Sequence, residues 1–170
     1  MKKLFLALCS FLLTSAAVMA QKYVIIDTRY ILDKMPEYKN AQAKLDEVQA
    51  GWQSEIDSLQ NQLNKMYKDY DAEQVMLSDE LKKKREDQIF QKEKEQRDLQ
   101  RKRFGFEGDL FKKRQELIKP VQDKVYNAVQ KLASTRGYDL ILDKSEGITV
   151  IFADPKLDKS DDVLRELGVK

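Results

Sequence analysis

From Tyr38 onward, apolar residues recur at steps of three and four: Tyr38, Ala41, Leu45, Val48, Trp52, Ile56, Leu59, Leu63, Met66, Tyr70 and, one heptad on, Leu77. That spacing lines one face of a helix, and a seam sustained this long needs a second helix against it. An additional four-residue step around Trp52 is a stutter in the repeat. Ser78-Asp79-Glu80 then interrupts the seam. Serine is a good N-cap and the two acids suit a first helical turn, so a hairpin turn is expected near 77–79. The second helix should run toward Thr135 and stop at Gly137. Helices joined by a short turn lie antiparallel, so residue k should face roughly residue 155 minus k. Pro120 then stands opposite Met35 and Pro36. Pro36 reads as a helix start and Pro120 as a kink, together marking the root of an arm of roughly 60 Å.

Outside this hairpin the period changes. Tyr23-Val24-Ile25-Ile26 reads as a strand, and Thr28 as the cap of a short helix through Leu32. Tyr138–Asp143 and Ile148–Phe152 read as two further strands around a Ser145-Glu146-Gly147 turn. Ala153-Asp154-Pro155 is another turn, and Ser160 caps a last helix, Asp161 to Leu167. Three short strands have unprotected edges and little core. Several copies sharing one sheet or barrel would remedy that, with Val24, Ile25, Ile26, Leu140, Ile141, Leu142, Val150, Ile151 and Phe152 as the shared core. The expected organisation is α+β and mainly α: residues 21–36 and 120–170 form a β-rich body, and residues 37–119 a helical hairpin arm.

The first twenty residues, MKKLFLALCSFLLTSAAVMA, read as a secretory signal peptide cleaved after Ala20. Cleavage would remove the only cysteine, Cys9, so no disulfide can form. It would also remove Lys2 and Lys3, leaving 29 basic against 29 acidic side chains. A neutral exported chain is not expected to bind nucleic acid. The chain has no histidine and no glycine-rich phosphate loop, which removes the usual zinc sites, general bases and nucleophiles. Neither an enzyme nor a cofactor is expected.

Three stretches make the chain similar to the Skp/OmpH family of periplasmic chaperones. They are Tyr23–Asp27 with Ile31-Leu32, Leu117-Ile118-Lys119-Pro120-Val121, and Gly137–Lys144 with Phe152-Ala153-Asp154-Pro155. The resemblance covers essentially all of the expected mature chain. It implies a homotrimer in which strands from three chains build a small barrel and three helical hairpins surround a cavity. Unfolded outer-membrane proteins would be held there, in the periplasm and without ATP. The family commonly has Asp-Ile-Thr before its last helix; here those positions are Asp158-Lys159-Ser160. The other readings are an exported coiled-coil spacer or adaptor, and a binder of anionic lipid or polysaccharide.

Charge is unevenly placed along the hairpin. Residues 22–81 carry 7 basic and 12 acidic side chains, and residues 82–103 carry 10 and 5. Lys82, Lys83, Lys84, Arg85, Arg101, Lys102 and Arg103 form a candidate basic patch. These cations could pair with Asp69, Asp71 and Glu73 across the hairpin, or attract acidic clients or anionic headgroups. Next to the patch, FGFEGDLF (Phe104–Phe111) places two glycines inside the return helix, each costing about 1 kcal/mol relative to alanine. The expected register sets Gly105 beside Ala50 and Gly51, at the level of Trp52. Two readings stay open. In one, Gly51 and Gly105 make room for a dense layer of Trp52, Phe104, Phe106 and Phe111. In the other, Gly51, Gly105 and Gly108 form a pivot and the aromatics are client contacts.

Overall fold

The computed structural model describes residues 21–145, 147 and 150–169. The expected signal peptide, and Glu146, Ile148 and Thr149, lie outside the described residues. In chain order the elements are β1 (Tyr23–Ile26), α1 (Thr28–Lys34), α2 (Pro36–Glu73), α3 (Asp79–Phe104), α4 (Asp109–Leu117), α5 (Lys119–Arg136), β2 (Leu140–Asp143), a 3-10 turn (Pro155–Leu157) and α6 (Ser160–Glu166). They form two compact units: Leu32–Lys124, and Val125–Lys170 together with the N-terminal segment through Ile31. The expected borders were the two prolines; the division falls a few residues toward the chain ends on both sides.

The unit from Leu32 to Lys124 is the hairpin. Met35, extended and buried, precedes Pro36, whose fixed φ starts α2. Every apolar seam residue from Tyr38 to Leu77 is buried or half-buried, with Ala41, Leu45, Ile56 and Leu63 the deepest. Residues 74–78 form the turn, and the Leu81 N–H donates to the Ser78 hydroxyl at 3.4 Å. Antiparallel pairing stays close to the register expected from the sequence in the outer hairpin and departs from it by about six residues at Lys124 and Glu37. Gln96 donates to Gln60 at 2.7 Å, Arg85 pairs with Glu73 at 3.5 Å, and Lys124 with Glu37 at 2.5 Å.

The return side was expected as one helix with a kink at Pro120 and, on one reading, an interruption at Gly105 and Gly108. It is broken twice, at residues 105–108 between α3 and α4, and at Ile118 between α4 and α5. The second break has a simple cause. Pro120, second residue of α5, has no N–H to continue the ladder, and its ring crowds the preceding turn. The strand opposite behaves differently: α2 runs unbroken through Gly51.

The other unit is organised by a two-stranded parallel sheet. Tyr23, Val24, Ile25 and Ile26 stand opposite Leu140, Ile141, Leu142 and Asp143. The free side of β1 is occupied by irregular backbone: Ile25 bridges Asp158, and the Lys159 N–H donates to the Ile25 carbonyl at 2.8 Å. The third strand expected at 148–152 is not seen at Val150–Phe152, which is irregular. Two expected caps also move. Asp27 rather than Thr28 caps α1, accepting the Tyr30 N–H at 2.9 Å. Ser160 lies inside α6 as its first residue. Gly137 and Gly168 do end α5 and α6, both at left-handed φ (64° and 73°).

Candidate functional site

The break at 105–108 is a built joint. Gly105 (φ −69°, ψ 175°) and Gly108 (φ −69°, ψ −173°) are extended, so neither is there for a left-handed backbone. They are there because the chain passes too close to itself. A Cβ on Gly105 would stand 2.3 Å from the Arg101 carbonyl oxygen, and one on Gly108 2.8 Å from that of Lys102 and 2.9 Å from that of Gly105. The residue with left-handed φ is Glu107, at 52°. Gly51, by contrast, has nothing within 4 Å of its Cβ direction. It neither makes room for an aromatic nor interrupts α2, so Gly51 serves neither of the two readings offered by the sequence, and the break lies on the return side alone.

Arg103 ties the joint together. Its guanidinium donates to Asp109, the first residue of α4, at 2.8 Å, and to Glu55 of α2 at 3.3 Å. It also lies 4.9 Å from the centroid of the Trp52 ring. Trp52 meets Phe104 edge to face, with centroids 6.5 Å apart. Only these two of the four expected aromatics form a layer. Phe106 is 98% exposed at the apex of the joint, and Phe111 is 47% exposed on α4. Arg103→Ala should cost about 1–2 kcal/mol, because two partly exposed ion pairs and one ring contact are lost together. Arg103→Lys should lose less, since one ammonium keeps the charge but cannot span both carboxylates. Denaturant unfolding, with hydrogen exchange at residues 104–110, reads both effects.

The basic patch divides on inspection. Arg103 is internal to the joint, Arg85 pairs with Glu73, and Lys82 lies 3.9 Å from Asp79 in its own helix. Asp69 and Asp71 make no ion pair with the block among the described residues; cross-hairpin contacts further along come instead from Tyr67 to Glu93 and Tyr70 to Glu86. Both hydroxyls donate to carboxylates, which holds these tyrosines above their ordinary pKa. Lys83, Lys84, Arg101 and Lys102 are exposed, with no ion pair among the described residues. The sequence reading stopped the patch at Arg103 and so missed Lys112 and Arg114, which are likewise exposed and make no ion pair among the described residues. The signal was available: residues 101–114 hold six basic and two acidic side chains.

In the sheet unit, the expected shared core separates into two sets. Val24, Ile25 and Ile26 are buried within the single chain, while Ile141, Leu142 and Val150 are half-buried. Leu140, Ile151 and Phe152 are 52, 95 and 85% exposed. Beside them a polar network joins the first and last parts of the chain. The Thr28 hydroxyl donates to Asp143 at 2.5 Å, and the Asp27 N–H donates to the Ser160 hydroxyl at 2.9 Å. Ser160 in turn donates to Asp158 at 2.6 Å, and Lys144 to Asp158 at 2.7 Å. Partial burial alone would raise the Asp143 and Asp158 carboxyls. Donors from Thr28, Ser145, Lys144 and Ser160 outweigh it and hold both below the ordinary value. A depressed carboxylate adds stability above its unfolded pKa of about 4, lost as pH falls through the folded value. The sheet unit should therefore weaken on acidification below about pH 4, and Asp143→Asn or Asp158→Asn should flatten that part of the profile. Unfolding midpoints between neutral and acid pH check this.

Among the described residues there is no cluster of potential metal ligands, and no helix is long and apolar enough to cross a membrane. A long antiparallel helical hairpin and a small parallel sheet that pairs the first strand with a late one define a mainly helical α+β protein. A family profile described as "Outer membrane protein (OmpH-like)" matches residues 22–167, and the chain belongs to that family. It is 27% identical to the chaperone protein Skp of Yersinia enterocolitica over 92% of each chain. It is 26% identical, with the same coverage, to Skp of Pectobacterium atrosepticum. The crystal structure of an OmpH-like outer membrane chaperone from Caulobacter crescentus has the same fold. There the TM-score is 0.69 at 16% identity, over 86% of this chain and 83% of that one. Proteins of this family are chaperones and not enzymes.

Proposed function

We propose that this protein is an ATP-independent periplasmic holdase for unfolded outer-membrane β-barrel proteins, working as a homotrimer. The observation that carries the reading is the extent of the family match. It takes in both strands, the whole hairpin and α6, and is not confined to a coiled-coil stretch that many unrelated chains would match. The exposed Leu140, Ile151 and Phe152 support the shared body, because apolar side chains this open beside a sheet edge are what other copies would cover. Phe106 and Phe111 are open to a client, whereas Trp52 and Phe104 hold the joint. A hairpin whose exposed apolar side chains are dispersed along it, from Met76 and Phe90 to Phe106 and Phe111, suits weak contacts at many points and release without an energy source.

The test is dilution of a urea-unfolded outer-membrane barrel protein into buffer with and without the purified protein. Suppressed light scattering at stoichiometric trimer is the expected result; aggregation as in buffer alone overturns the reading. Multi-angle light scattering of the protein alone should give the mass of three chains, and a monomer at micromolar concentration would remove the shared body.

A further inference from the structure

The second break in the return side has a product of its own. Phe111, Arg114, Gln115, Ile118, Lys119 and Gln122 line a groove of about 320 Å³. Their spacing of three or four residues keeps them on one face across the break at Ile118. Pro120 stops α4 from running smoothly into α5, and the groove lies at that interruption. Its floor is apolar, formed by Ile118, 5% exposed, and Phe111, 47% exposed. The two cations on its rim differ. Lys119 is held by Asp123 at 2.9 Å, whereas Arg114 is exposed and has no partner among the described residues. The groove also adjoins the most basic part of a nearly neutral chain, residues 101–114, where Arg101, Lys102 and Lys112 also make no ion pair among the described residues.

We propose that this groove is a docking subsite for an extended polypeptide segment, taking one aromatic side chain against Phe111 and Ile118 and a neighbouring carboxylate on Arg114. The proposal rests on the holdase reading and gives its client a local chemistry: aromatic residues flanked by Asp or Glu. Volume and charge both favour this occupant. The groove has room for one large side chain, and a guanidinium at the rim of an apolar floor matches a carboxylate one or two residues away on an extended chain. Lys112 and Arg114 lie two residues apart on α4 and so project to opposite sides, about 200° around the helix. Cations that diverge in this way suit single carboxylates spread along a chain better than a cluster of phosphates at one point.

The test uses the full mature protein and two synthetic extended peptides. One alternates Glu with Tyr and Val; in the other Lys replaces Glu. Fluorescence anisotropy should show the wild type preferring the acidic peptide, with Arg114→Glu and Phe111→Ala each weakening it by about fivefold or more. Lys83→Glu/Lys84→Glu, which alters two unpaired cations far along the hairpin, should change it by less than about twofold. Pro120→Ala, which lets α4 and α5 join, should weaken the peptide as Phe111→Ala does. Equal affinity for the two peptides, no binding of the acidic one, or equal losses in the Arg114 and Lys83/Lys84 variants overturns the proposal. So does loss of binding to phosphatidylglycerol vesicles in Arg114→Glu with the peptide unaffected, which would give the groove to a lipid. The dilution assay is run on the same variants. If the wild type fails there, the holdase reading falls; if it succeeds while Arg114→Glu binds the peptide normally, only the groove assignment falls.

Discussion

Replacing Gly51 with alanine should stabilise the protein by about 0.5–1 kcal/mol, while the same replacement at Gly105 should destabilise it by about 2–3 kcal/mol. The substitution is identical and both glycines sit in the hairpin at the same level. What differs is the space. At Gly51 the backbone is helical, the position is exposed, and an added Cβ meets nothing within 4 Å. Alanine there restores helix propensity and reduces the freedom of the unfolded chain. At Gly105 the Cβ would lie 2.3 Å from a main-chain oxygen, to which the Gly105 N–H also donates at 2.8 Å. A backbone atom cannot swing aside as a side-chain tip can, so that hydrogen bond and the turn built on it must give way. Thermal unfolding should show a rise of a few degrees for the first variant and a fall of about 5–10 °C for the second. If Gly105→Ala is neutral, residues 105–108 adopt a helical path in solution at no cost, and the joint is not a fixed feature.

Leu45→Ala should cost about 3 kcal/mol, and Leu81→Ala less than about 0.5 kcal/mol. Leu45 is 1% exposed on the α2 seam, whereas Leu81 is 49% exposed in the first turn of α3. Truncating a buried leucine loses the transfer free energy of its methyl groups and leaves a void, and the surroundings close only in part. The hairpin offers few places for such a loss. Beyond the joint, Ile56, Leu63 and Ile89 are its only buried side chains among the described residues, so that portion depends also on polar pairing such as Gln60 with Gln96 and Tyr67 with Glu93. Urea unfolding of the two variants measures the contrast, and equal midpoints would mean that the inner seam is not where the hairpin's stability resides.

Much of the hairpin was legible because one physical requirement repeats along it. A helix with one partner must keep its apolar residues on one stripe, and every seam position from Tyr38 to Leu77 is buried or half-buried accordingly. Ser78 could be read as a cap because little else competes for its hydroxyl. Thr28 and Ser160 misled because each has a stronger local rival: Asp27 takes the cap of α1, and Asp158 engages Ser160. The β-branched run before Phe152 looked like a strand, yet strand preference in such residues reflects a surface to pack on. In the single chain, the backbone at Asp158 and Lys159 already lies along the free side of β1. The glycine break was visible in the sequence but its one-sidedness was not, since only the fold shows that Gly51 has open space and Gly105 has none. At the candidate groove, Phe111 and Pro120 were noticed separately. Their meeting on one face depends on how the helix is interrupted, and periodicity alone does not report that.

The parallel pairing of β1 with β2 has a consequence for how the chain reaches its fold. Tyr23 waits for Leu140, and the Lys22 N–H for the Asp139 carboxylate 117 residues later. A chain made from its N-terminus therefore carries Val24, Ile25 and Ile26 without their strand partner until the whole hairpin has been synthesised. The helices form from near neighbours and can appear early; the sheet closes over a loop of more than a hundred residues, and the backbone at Asp158 and Lys159 reaches β1 over a longer one still. A product truncated between Arg136 and Leu140 would keep the helical hairpin and present an unpaired strand.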